Sequence, residues 1–261
     1  MENNLPAALL PNLPASTPGA SLPWDAGGGG VLPFYSLSQM LDLSGTEYVN
    51  VADAASLTSA GAFSFCGWFN HDAASTAACL AGKYDYNAQC EWMAQVGDGA
   101  DATLLVIDVA ATLSTGFGGY FKTASGSWFV GVPNWFLVAF DPSGSQEIST
   151  PPNATDKLRI EINGVPQQLA KTGAGALPAA VVDGTAPFRI GGVSVDAGAT
   201  ITRKFDGKVS DCKWFNGTAL THAQGLEHMQ RKRVPGVLPT SWWKFNGDAT
   251  DSAGVNHGTV T

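Results

Sequence analysis

From Met40 onward the chain is written in short apolar runs separated by turn residues, and that pattern leaves few folds open to it. "MLDLSGTEYVNV" alternates Leu41 and Leu43, then Tyr48, Val49 and Val51, around a Ser-Gly turn, and "FSFCGWFN" follows at 63–70. "CLAGKYD" and "CEWMAQV" read as a hairpin, and "ATLLVIDVA" at 102–110 as a strand buried on both faces. Further strands are expected in "GYFKTA", "SWFVGV", "NWFLVAFD", "KLRIEING", "FRIGG" and "FDGKVSDCKWFNG". About ten or more short strands with Gly, Pro, Asn and Asp between them specify a sandwich or jelly roll. Helical periodicity is nearly absent. The exception is "THAQGLEHMQRKR", a helix expected over 221–233 with Thr221 as N-cap, Pro235-Gly236 as stop, and Leu226 and Met229 turned toward the sandwich.

With 261 residues, 44% of them hydrophobic, the chain can bury a sizeable core. Its formal net charge of -8, with 14 Lys plus Arg, argues against a nucleic-acid surface, whose affinity rests on cations. Arg231-Lys232-Arg233 reads as the solvated end of the helix, where positive charge complements the carbonyl end of the dipole. No stretch reaches the roughly 20 apolar residues of a membrane span. The acidic, proline-interrupted N-terminus is a poor secretory signal. Cys66 and Cys212 sit in apolar strand patterns and are expected in the core. Cys79 and Cys90 flank the hairpin and could face one another, although without a signal peptide thiols are favoured over a disulfide. His71, His222, His228 and His257 are scattered and give no metal-ligand spacing.

Residues 1–35 are written differently. Leu-Pro recurs at 5–6, 13–14, 22–23 and 32–33, and Trp24 precedes the glycine run 27–30. Proline favours extended backbone and the glycines make a swivel, so the segment is an arm rather than a domain. Such an arm orders only against surfaces other than its own, through Leu5, Leu9, Leu13, Leu22 and Trp24.

The ordered series "GTEYVNVAD", "FSFCGWFN", "LAGKYD", "VPNWFLVAFDPSG", "LRIEINGV", "PFRIGG" and "FDGKVSDCKWFNGTALT" resembles the laminin G-like modules of the concanavalin A-like lectin/glucanase superfamily over roughly residues 40–232. The resemblance implies an all-β fold, a two-sheet antiparallel jelly-roll sandwich. The expected organisation is the arm at 1–35, the jelly roll at 36–234 including the helix, and a segment at 235–261 that completes the sandwich. "SWWKFNGDATDSAGVNHGT" at 241–259 resembles a piece that in this family precedes the first sandwich strand, yet here it follows the last. One of Trp242 and Trp243 should therefore be buried, with the final "TVT" running beside Leu41 and Leu43.

The superfamily also contains glucanases. Glycoside hydrolysis needs two carboxylates on one face, and "VIDVA" offers only Asp108 and "RIEING" only Glu161, so no enzyme is expected. Sugars are held instead by aromatic faces and a few polar groups. Aromatics gather at the first hairpin (Tyr84, Tyr86, Trp92) and near the second (Phe117, Tyr120, Phe121, Trp128, Phe129). Alternation assigns Trp92 and Phe129 to the core and leaves Tyr84, Tyr86, Tyr120 and Trp128 as glycan-binding candidates. No cofactor is expected. The resemblance admits a calcium ion at the rim, with Asp72, Asp85, Asp98 and Asp101 in turn-rich stretches, but no acidic loop of EF-hand type is present. The arm, the sandwich and the acidic surface together suggest a component of a virion such as a phage: a capsid decoration or a tail or fibre component assembled in the host cytoplasm. Its arm would dock on other virion proteins in a homo-oligomer, and its lectin-like sandwich would be displayed to host-surface glycans. The alternative is a free carbohydrate-binding module of a bacterial surface or secreted protein.

Overall fold

The computed structural model describes residues 40–72, 77–86, 88–110, 119–172, 176–194, 200–230, 234 and 236–261. The arm residues Leu5, Leu9, Leu13, Leu22 and Trp24, together with Phe117, lie outside the described residues.

Two sheets form among the described residues. In the seven-stranded sheet, β1 (Leu41–Ser44) and β16 (Ser241–Trp243) lie along one side of β15 (Asp206–Asn216). The order continues through β3 (Phe63–His71), β8 (Pro133–Phe140), β9 (Leu158–Ile162) and β10 (Val165–Pro166). The ten-stranded sheet runs β11 (Ala170–Thr172), β7 (Gly119–Lys122), β6 (Leu105–Val109), β5 (Gln89–Val96), β4 (Ala78–Asp85), β12 (Phe188–Ile190), β2 (Val49–Val51) and β17 (Gly258–Val260). β13 (Val193–Ser194) and β14 (Ile201–Thr202) branch from β4. Pairing between these strands is antiparallel apart from a single β13–β4 contact. This is the expected all-β jelly roll.

Strand alternation builds the core. Phe63, Phe65 and Phe69 of β3 and Phe136, Val138 and Phe140 of β8 face Trp92, Ala94 and Val96 of β5 and Leu105, Ile107 and Val109 of β6. Trp214 of β15 stacks on Trp92 across the sheets at 5.8 Å, so aromatic area spans the whole sandwich thickness. The Asn163-Gly164 turn between β9 and β10 has φ of 52° and 75°, the doubly positive pair of a type I′ hairpin. The sequence suggests a turn at Asp206-Gly207 as well, but these residues begin β15. Glycine is needed there because a Cβ would fall 2.0 Å from the Asn70 carbonyl oxygen of β3.

Helix α1 (His222–Met229) is shorter than the expected 221–233. Thr221 caps it as read from the sequence, in a reciprocal capping box with Gln224. Leu226 and Met229 pack on Cys66, Trp135, Leu137 and Phe215, on the outer face of the seven-stranded sheet. "SWFVGV" is a further correction. It forms turns rather than a strand, with the Trp128 amide donating to the Thr103 carbonyl.

The last 21 residues serve both sheets. Trp243 is fully buried opposite Cys212 and stacks 5.4 Å from Phe188, while its indole N–H donates to the Asn256 carbonyl. Asp251 ties the intervening loop by accepting from the amides of Trp242, Ala253 and Gly254. The final strand β17 lies beside Val49–Val51, not beside Leu41 and Leu43. The reason is that β1 and β2, read as one segment in the sequence, belong to different sheets.

Candidate functional site

The outer face of the ten-stranded sheet is where the sequence-selected tyrosines meet. On β6 the inward set is Leu105, Ile107 and Val109, which leaves Asp108 facing out. Met93 and Tyr120 stand across from Asp108 on the two neighbouring strands. A bulge between Lys83 and Tyr84 turns the end of β4 so that the Tyr84 hydroxyl donates to the Asp108 carboxylate at 3.2 Å. Tyr86 lies near-parallel to Tyr84, with centroids 6.4 Å apart. The other side of the same face carries Arg189, whose guanidinium pairs with Asp85 at 2.5 Å and reaches the Tyr84 carbonyl at 3.4 Å.

Burial sorts these groups. Tyr86 and Tyr120 are half-buried. Tyr84, at 2% exposed, is not the open stacking surface that the sequence suggests: it is a floor residue, and burial followed by the Asp108 carboxylate pushes its phenol well above the usual range. Trp128 is likewise corrected. It is 1% exposed and belongs to the main core, whereas Phe129, expected inside, is half-buried. The cause is the loss of strand geometry around them, because alternation assigns faces only where there is a strand. From the sequence, Asp85 is considered only for calcium and Asp108 only for hydrolysis, and Arg189 is not singled out at all. An acid or arginine inside an apolar strand was the available signal.

At one end of the sandwich the Lys83 ammonium, fully buried, sits 2.8 Å from Asp53, 2.9 Å from Glu91 and 3.5 Å from Asp183. Burial alone would lower its pKa, and the carboxylates, Glu91 foremost, more than offset it. Ser59 donates to Glu91, and so does the Gly184 amide at 3.0 Å, which pins the loop before β12.

The four aspartates considered for calcium are engaged elsewhere and do not converge. Asp72 binds Asn70 and Lys208, Asp85 binds Arg189, Asp98 binds Lys122, and Asp101 holds the Thr103 amide and hydroxyl. No group of three or more His, Cys, Asp or Glu suited to a metal occurs among the described residues. All four cysteines are buried thiols, and burial pushes Cys66 and Cys79 up to about 12, which makes them poor nucleophiles. Asp108 and Glu161 stand on the outer faces of different sheets, Glu161 under α1 with His222 at 3.1 Å, so they cannot flank one glycosidic bond.

No family model and no curated protein matches the sequence. Solved structures match in fold. A Bacteroides ovatus protein described as carbohydrate-binding aligns at 16% identity and a TM-score of 0.59, covering 85% of this chain. The chain spans 59% of that protein's length. A heptameric SAP-like pentraxin from Limulus polyphemus aligns at 12% identity and a TM-score of 0.51, over 87% of this chain and 96% of its own. The CBM40 of a Ruminococcus gnavus sialidase, bound to α2,3 sialyllactose, aligns at 12% identity and a TM-score of 0.50, over 75% of this chain and 97% of its own. In architecture the chain is a two-sheet antiparallel jelly-roll sandwich.

Proposed function

We propose that the chain is a carbohydrate-binding module whose site is the outer face of the ten-stranded sheet. One observation carries this reading: on one sheet face Tyr84 holds the Asp108 carboxylate, with Tyr86 alongside Tyr84 and Tyr120 opposite Asp108 on the neighbouring strand. Aromatic rings take the C–H faces of a sugar, and the fully buried Asp108 carboxylate fixes the Tyr84 hydroxyl beneath them. The carbohydrate binding described for the Bacteroides and Ruminococcus proteins agrees with it. The virion reading rests on the arm at 1–35, outside the described residues, and the similar structures lend it no support. The chain on a glycan array should give hits that fall at least tenfold in Tyr86→Ala and Tyr120→Ala, the half-buried pair, and in Asp108→Asn. An array without hits would overturn the proposal.

A further inference from the structure

Among the described residues, the basic residues on the ten-stranded sheet are matched to acids, whereas Arg203 and Lys204 beside it are not; Lys204 donates to the Thr46 carbonyl. Lys83 has its three carboxylates, Lys122 has Asp98 at 2.6 Å, Lys171 has Glu147 at 2.7 Å, and Arg189 has Asp85. Arg203, directly after β14, has no carboxylate within ion-pair distance among the described residues. Its guanidinium donates to the neutral Gln95 side chain at 2.6 Å, on the outer face of β5. Arg203 is half-buried, and among the described residues its charge is neither fully solvated nor paired, in a chain whose formal net charge is -8. It also has φ of 48°, a left-handed conformation that a side-chain-bearing residue keeps only where its surroundings impose it. Beside it the Nε donor of Arg189, 5% exposed as a residue, is buried with no acceptor. The Arg203 carbonyl accepts from the Cys79 amide at 2.8 Å, on β4, and Arg189 pairs with Gly82 further along the same strand, so both arginines are positioned by β4.

We infer that this face takes a glycan bearing a carboxylate, with Arg203 as the group that pairs with the acid and Arg189 Nε as a second donor. The inference rests on the carbohydrate reading and gives its ligand class. A guanidinium offers a planar pair of N–H donors that matches a carboxylate, and the match gains from a half-buried setting where water competes less. The sugar ring would then lie over the tyrosines.

The test is an array of uronate- and sialate-bearing glycans, each beside its methyl ester, probed with the full chain and with Arg203→Gln and Arg203→Lys. Gln is shorter than Arg but keeps a neutral N–H donor without the charge, and a melting curve for each variant reports folding. Binding to the acids should drop at least tenfold on esterification and on Arg203→Gln, and recover in part in Arg203→Lys. It should also weaken as salt rises. Equal binding to acid and ester, unchanged in Arg203→Gln, would overturn the acidic-ligand inference and leave the carbohydrate reading intact. No binding to any glycan would overturn both.

Discussion

The outer faces of the two sheets start from the same strand alternation and end with opposite characters. On the seven-stranded sheet, Cys66, Trp135, Leu137 and Phe215 point outward and are closed over by α1 through Leu226 and Met229. On the ten-stranded sheet the outward set includes Asp108, Gln95, Arg189 and Tyr120, and its polar groups are tied to one another by Tyr84–Asp108, Arg189–Asp85 and Arg203–Gln95. On the carbohydrate reading, an outward-facing aromatic is structural where an element covers it, as α1 does on the seven-stranded sheet, and available for recognition where polar partners surround it. Even the covered face keeps a few polar groups, such as His228 and Glu161, both buried.

The largest test removes what the two sheets share. Truncation after Pro239 strips β16 from one sheet and β17 from the other, and with them the fully buried Trp243. Loss of the tryptophan alone is worth about 3–5 kcal/mol, and two newly exposed edges invite self-association. A melting temperature lower by more than about 10 °C, with aggregates on size-exclusion chromatography, is expected. A truncated chain that melts like the full one would show that neither sheet depends on the segment.

The next two tests divide the faces. Met229→Ala on the helix-covered side should cost about 2–4 kcal/mol of stability and leave glycan affinity unchanged. Tyr120→Ala should do the reverse, with at least a tenfold loss of affinity, about 1.4 kcal/mol, and a melting temperature within roughly 2 °C of wild type. If Met229→Ala weakened binding as much as Tyr120→Ala, the division of labour between the faces would fail.

The smallest effect is a pH dependence confined to the covered face. His228 lies 4.8 Å from the Phe215 ring, and burial first, then Lys213, lowers its pKa to about 4. A histidine depressed in the folded state is stabilising as the neutral form above its unfolded value near 6.5, and that contribution is lost as pH falls toward about 4. His228→Phe, of similar shape, removes the titration. The gap in melting temperature between variant and wild type should widen in favour of the variant from pH 7 to pH 4.5. A gap independent of pH would show that His228 does not titrate in this window.

Local sequence determined the class of fold, the β4–β5 hairpin, the Asn163-Gly164 turn and the Thr221 cap, because each depends on neighbours a few residues away. It also determined that one tryptophan of the 242–243 pair is buried, since adjacent strand residues face opposite sides. Tertiary structure alone decided that β1 and β2 part into different sheets, and so which strand the C-terminus joins. It decided that Trp128 is core and Phe129 is not, because no strand fixes their sides there. It also brought Tyr84, Asp108, Arg189 and Arg203, up to 119 residues apart in the chain, onto one face. Alternation tells which side of its own strand a residue takes; which strands lie together is set by long-range pairing, and a charge far along the chain leaves no local trace of its partner.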